Sequence, residues 1–233
     1  MLNVIRAKLA EFRRDYSGMA ATEMAFVAPI MIVLALAGVD TTRYVIATEQ
    51  VDKVANTIGQ MLSETQPTSL LTTTGAVTYV DLQFFHDSAM VIFPDVLSDA
   101  ATQGVPWSKD IEISMSSIQF TPSPANCTTN CAYTAQAVWT GGDNPRPCNF
   151  SFTQIADASV PTLDALPQDV FGPGSIIVVD VEYTYHPWFA SYFGVAPTIA
   201  RSIYLAPRYV SLINYQTISG DNGIAAMCPG QAS

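Results

Sequence analysis

The fold open to this chain is constrained first by residues 18–39, a run in which only Thr22 and Glu23 are clearly polar. Wound as a helix at about 1.5 Å per residue, the run reaches ~33 Å, the thickness of a bilayer's hydrocarbon core. A helix is also the one single-segment structure that satisfies every backbone N–H and C=O in lipid. The chain is therefore expected to cross a membrane once and to build everything else from the residues that follow. A charged side chain in such a helix costs on the order of 2.5–3.5 kcal/mol near the centre and less toward the edge. Glu23, near the start of the run, accordingly needs a compensating partner or a task.

Charge gives the run a direction. Residues 1–18 carry Arg6, Lys8, Arg13 and Arg14 against Glu11 and Asp15, whereas beyond Arg43 five basic residues face sixteen acidic ones. Positive charge beside an apolar span stays cytoplasmic, so the N-terminus is expected inside and the C-terminal part outside. An acidic exterior also excludes a nucleic-acid partner, which would need a basic face. All four cysteines, Cys127, Cys131, Cys148 and Cys228, follow the span. In an oxidising compartment an even number of cysteines pairs. Three connectivities are open, and we expect short-loop pairing of Cys127 with Cys131 and long-range pairing of Cys148 with Cys228. No His or second close Cys pair accompanies Cys127-x3-Cys131, so no metal site is expected there or elsewhere.

The helical pattern continues past the span. In residues 40–63, Val51, Val54, Ile58, Met61 and Leu62 recur at helical spacing among charged and amide residues. One helix is predicted from about Asp15 to Ser63, loosened at Pro29 and stopped before Pro67. Residues 78–90 place Val80, Leu82, Phe85 and Ala89 on one helical face. Residues 111–120, 132–140, 175–188 and 199–210 read as strands; in the second, Tyr133, Ala135, Ala137 and Trp139 share a face, and in the third, Ile177, Val179, Val181, Tyr183 and Tyr185 do. Residues 141–174, rich in Pro, Gly, Asn and Asp, read as a surface excursion. The expected fold class is α+β. A membrane helix (19–39) and its amphipathic extension (40–65) precede an extracytoplasmic domain (66–233) with an antiparallel sheet of about four strands.

Catalysis finds little support. The two histidines, His86 and His186, have no motif around them, and no nucleophile elbow, zinc-protease helix, phosphate loop or dinucleotide fingerprint occurs. Asp180 and Glu182 share a strand face and are expected to be solvated there. The aromatic set Tyr183, Tyr185, Trp188, Phe189, Tyr192 and Phe193 is expected to pack in the core. Neither enzyme activity nor a cofactor is expected.

A cut after Gly18 would make Met19 the new terminus and Glu23 the fifth residue. Residues 19 and 23 are i and i+4 on a helix, so the carboxylate can meet the new ammonium of its own chain or of a neighbour. A basic leader, then Gly18, four small or apolar residues, Glu23 and a membrane-length helix resembles the class III signal of type IV pilins. The stretch "FRRDYSGMAATEMAFVAPIMIVLALAGVDTTRYVIATEQVDKVANTIGQ" is similar to the TadE/TadF group of minor pseudopilins of tight-adherence (Tad) pili. A weaker likeness extends to "IIVVDVEYTYHPW" and "ARSIYLAPRYV". Members often carry an aromatic after the glutamate, where this chain has Met24. The resemblance implies that a prepilin peptidase removes residues 1–18 and that Glu23 acts in assembly. It also implies partners among other minor pseudopilins, the major pilin, the inner-membrane platform and membrane lipid, with a periplasmic head on a bacterial inner-membrane anchor. Two other readings compete: a single-pass envelope protein with a ligand-binding ectodomain, and a secreted hydrolase cut after "ALA" (35–37). The mature N-terminus separates them, being Met19, Met1 or Gly38 respectively.

Overall fold

The computed structural model describes residues 17–69, 72–148, 150–160 and 162–231. Most of the basic leader lies outside the described residues. Helix α1, Ser17–Ser63, begins just before the glycine and runs through Pro29 as one element. Its length is what an apolar half followed by an amphipathic half dictates. The first half needs no protein partner if lipid surrounds it, and the second buries a stripe.

The chain separates into two compact units. The first comprises residues up to Val45 and Pro187–Val195. Within it Met24, Phe26, Val27, Ile30, Met31, Ile32, Val33, Leu34 and Leu36 are all exposed. So continuous an apolar surface is unsuited to water and matches the hydrocarbon of a bilayer.

The second unit comprises Ile46–His186 and Ala196–Ser233. Here Val51, Val54, Ile58 and Leu62 of α1 are buried as their spacing led us to expect, Met61 is only partly buried, and Ala47 and Ala55 join the stripe. A short strand β1 (Thr74–Val77) leads to α2 (Tyr79–Asp87), α3 (Ala89–Ile92), α4 (Asp95–Gln103) and α5 (Trp107–Asp110). Strands β2 (Ile111–Ser123), β3 (Ala132–Gly142), β4 (Thr153–Ile155), β5 (Ala165–Pro167), β6 (Gly174–Thr184), β7 (Thr198–Leu205), β8 (Leu212–Tyr215) and β9 (Ala225–Met227) follow. The main sheet is antiparallel in the order β7-β6-β2-β3-β9, and β1 with β8 and β4 with β5 form parallel pairs. Its fifth strand, β9, and the β4–β5 pair inside the 141–174 excursion are additions to the four strands expected. Strands of three residues carry too little periodicity to be read from sequence.

Both faces of the sheet hold a core. Ile111, Ile113 and Met115 of β2 and Ile177, Val179, Val181 and Tyr183 of β6 belong to the cluster that contains the buried stripe of α1. Contact there is close: a Cβ on Gly59 would stand 2.9 Å from Leu205 Cδ1. The opposite parity, Ile118, Phe120, Ile176 and Val178, packs with Phe152 and Leu166. Strand β3 changes face midway, because the register slips between Ser117 and Ile118 and Val138 becomes the extra residue. A slip of one residue reverses every side chain beyond it. Hence Ala135 and Ala137 lie in one core and Trp139 in the other, correcting the single face expected of them. Trp139 is wholly buried, and its indole N–H donates to the Ile213 carbonyl at 2.8 Å.

Residues 78–90 are likewise not one helix face. Asp81 accepts the Thr78 N–H at 2.8 Å and starts α2, Leu82 and Ala89 turn inward, and Val80 is exposed. Helix α4, which had no clear sequence signal, ends at Gly104 with φ +70°, a left-handed conformation that glycine adopts without strain.

Candidate functional site

The stem site lies in the first unit. Gly18 and Met19 fall in the first turn of α1, and Glu23 follows one turn later, exposed among apolar neighbours. At the other end of the apolar run, Asp40 is buried and receives three backbone N–H groups: Trp188 at 3.0 Å on Oδ1, and Phe189 at 3.0 Å and Ala190 at 2.9 Å on Oδ2. Successive N–H groups converging on a carboxylate form strong charge-assisted bonds. One turn later the Arg43 guanidinium lies over the Trp188 ring, 3.8 Å from its centroid. Segment 187–195 is thus bound to the helix by one acid and one base. Trp188, Tyr192 and Phe193 of that segment are exposed, whereas Tyr183 and Tyr185 are buried. The aromatic set expected to be one core cluster therefore divides, with strand parity placing its first members and the Asp40 anchor placing its last. Asp40 gave no signal of its own in the sequence, since its partners lie about 150 residues away.

In the head, Arg146 is almost fully buried. Its Nε donates to Asp180 Oδ2 at 2.7 Å and one terminal nitrogen to Asp180 Oδ1 at 2.8 Å. The other terminal nitrogen reaches the carbonyls of Thr162, Leu163 and Ala165. Burial alone would lower the guanidinium pKa, but hydrogen bonding and charge from Asp180 outweigh it and raise the pKa. Asp180, expected to be a solvated strand residue, is instead the counter-ion that lets the 162–165 segment close over the sheet. Glu182 remains exposed.

His86 is also buried. Its Nδ1 lies 3.1 Å from Asp87 Oδ1 and its Nε2 3.1 Å from Asp143 Oδ2, which also accepts the Ile113 N–H at 3.1 Å. Two carboxylates at the two ring nitrogens require both to donate, which makes the ring an imidazolium. Burial opposes that charge, yet the Asp143 and Asp87 bonds prevail and raise the pKa above 6.5. Burial likewise opposes ionisation of Asp143, but the His86 and Ile113 bonds hold its pKa below 3.8. A raised His contributes stability that is complete below about pH 6.5 and lost as pH rises through its folded value. A depressed Asp contributes stability present above about pH 4 and lost as pH falls further. Asp143→Asn should therefore destabilise the head more at pH 5.5 than at pH 9, as read from urea midpoints of the purified chain at the two pH values. Equal losses at both would show that His86 carries no charge.

The structure joins Cys127 to Cys131 and Cys148 to Cys228, the latter across a sequence separation of 80 with Cα atoms 5.2 Å apart. That bridge ties the edge strand β9 to the excursion, and closing so long a loop restricts the unfolded chain by about 4 kcal/mol in the chain-entropy account. His186 lies beside Asp99 and Asp110, two acids that sequence reading did not single out.

Comparison with known proteins adds one match: residues 18–59 fit the family described as TadE-like protein. No curated protein and no solved structure matched the chain. The matched segment begins at Gly18, includes Glu23 and Asp40, and ends within the buried stripe of α1. Residues 18–59 thus match a TadE-like domain, and they lie in the one helix among the described residues that is long and apolar enough to cross a membrane.

Proposed function

We propose that the protein is a minor pseudopilin, a non-enzymatic component of Tad pilus assembly. A prepilin peptidase cuts it between Gly18 and Met19, leaving an inner-membrane stem and a periplasmic head. The observation that carries this reading is the coincidence of the TadE-like match with an apolar run, residues 18–39, in which Glu23, five residues after the glycine, is the one carboxylate. Such a stem is stable in lipid as a monomer, and exchanging lipid contacts for other stems lets it join a bundle of pilin helices. Its partners are then the other minor pseudopilins, the major pilin and the membrane platform.

The anchored segment 187–195 fits the same arrangement. Asp40 and Arg43 are the first charged residues after Glu23, so they mark where the span leaves hydrocarbon. Exposed Trp and Tyr at that level occupy the headgroup zone, where amphipathic rings are favoured.

Mass spectrometry of the protein from its native host tests the reading. The expected N-terminal residue is Met19; an uncut leader, or a terminus at Gly38, overturns it.

A further inference from the structure

Asp99 in α4, Asp110 at the end of α5 and His186 just after β6 come from three separate parts of the sequence, yet each places one ligand-type atom within 4.8 Å of the others. His186 Nδ1 is 3.0 Å from Asp99 Oδ2 and 3.8 Å from Asp110 Oδ1. The Tyr183 hydroxyl donates to the same Asp99 oxygen at 2.6 Å and fixes that carboxylate in place. The Asp110 side chain is 1% exposed, and its Oδ2 is buried without any hydrogen-bond partner. A buried carboxylate oxygen left unpaired is costly, and a second carboxylate nearby makes it more so. Burial, with the Asp99 charge added, pushes the Asp110 carboxyl up to about 6. The cluster is short of positive charge at a point where the fold has gathered three good ligands.

We propose that Asp99, Asp110 and His186 bind one divalent first-row cation, Zn²⁺ or Mn²⁺, which clips α4, α5 and the end of β6 together. Geometry favours zinc within this class. Ligand bonds of about 2.0–2.1 Å in a tetrahedral site put neighbouring ligand atoms roughly 3.3 Å apart, a value that the 3.0 and 3.8 Å separations bracket. Chemistry favours it too, since imidazole with carboxylates suits zinc or manganese, whereas calcium prefers an all-oxygen shell. Water completes the coordination on the partly exposed side of His186. Tyr183 acts from behind as the residue that orients Asp99.

The full chain, purified in detergent and stripped with a chelator, is titrated with Zn²⁺, Mn²⁺ and Ca²⁺ against a chromophoric chelator, with thermal melting in parallel. We expect one equivalent of Zn²⁺ or Mn²⁺ to bind and raise the melting temperature, with Ca²⁺ clearly weaker. Asp110→Asn and His186→Ala should abolish both effects, and Tyr183→Phe should weaken binding by about 10- to 100-fold. His186→Gln, altering the most exposed of the three ligands, serves if Asp110→Asn does not fold. Absence of a stoichiometric ion in the unaltered chain overturns the proposal and leaves protons as the compensating charge. Binding that survives the ligand substitutions overturns it as well, because the ion then sits elsewhere.

Discussion

Arg146→Met is expected to destabilise the head domain by about 3–5 kcal/mol, the loss typical of breaking a buried ion pair from one side. The substitution conserves much of the side chain's length but leaves Asp180, paired with Arg146 through two hydrogen bonds, with Ser202 as its remaining donor among the described residues. It also frees three carbonyls, those of Thr162, Leu163 and Ala165, from their shared donor. The 162–165 segment should detach before the sheet itself melts. Urea unfolding of the purified chain measures the overall loss, and proteolysis within residues 156–169 should appear first. The double variant Arg146→Met with Asp180→Leu should recover a large share, because removing both charges removes the uncompensated one. Arg208→Met is the control: its pair with Glu64 is about half exposed on both sides, and exposed pairs contribute roughly 0–1 kcal/mol. Equal losses from Arg146→Met and Arg208→Met would refute the assigned role of Arg146.

Glu23→Ala and Glu23→Gln are expected to leave membrane insertion and leader removal largely intact while sharply reducing pilus number. Insertion should survive because a carboxylate near the edge of a span is a burden that its removal relieves. Assembly should fail for a separate reason. The proposed cleavage after Gly18 would create an ammonium at Met19, one helical turn from Glu23, and in a lone subunit that ammonium can pair locally or stay hydrated. In a bundle of stems it loses water, and with a neutral residue at position 23 it has no partner. An uncompensated buried charge costs several kcal/mol, well beyond what an exposed pair contributes. Pilus counts beside an immunoblot of processed subunit separate the two steps, with Glu23→Asp as the charge-preserving control. Normal pilus numbers from Glu23→Ala would make the carboxylate incidental, and an uncleaved product would assign it to the peptidase.

The stem was legible because its determinants are local. An apolar run of fixed length with one acid near its start is defined by residues adjacent in sequence, and the TadE-like match covers residues 18–59. The amphipathic half of α1 and strands β2, β6 and β7 were legible for the same reason, since a period of 3.6 or 2 records which face is buried. Three-residue strands leave no such record, nor does the face change in β3, where one extra residue at Val138 undoes the alternation.

The polar architecture of the head was the least legible part. Arg146 meets Asp180 across 34 positions, His86 meets Asp143 across 57, and Asp40 meets the 188–190 backbone across about 150. In the sequence each is one more charged residue, and the expected outcome for most charged residues is a solvated face. The sequence by itself determined where the membrane-length apolar run lies, most of the stripe that the long helix buries and which part of the chain holds the cysteines. Tertiary structure alone decided which acids lose their water and what replaces it. Desolvation depends on everything that packs around a side chain, and no window of neighbouring residues contains that information.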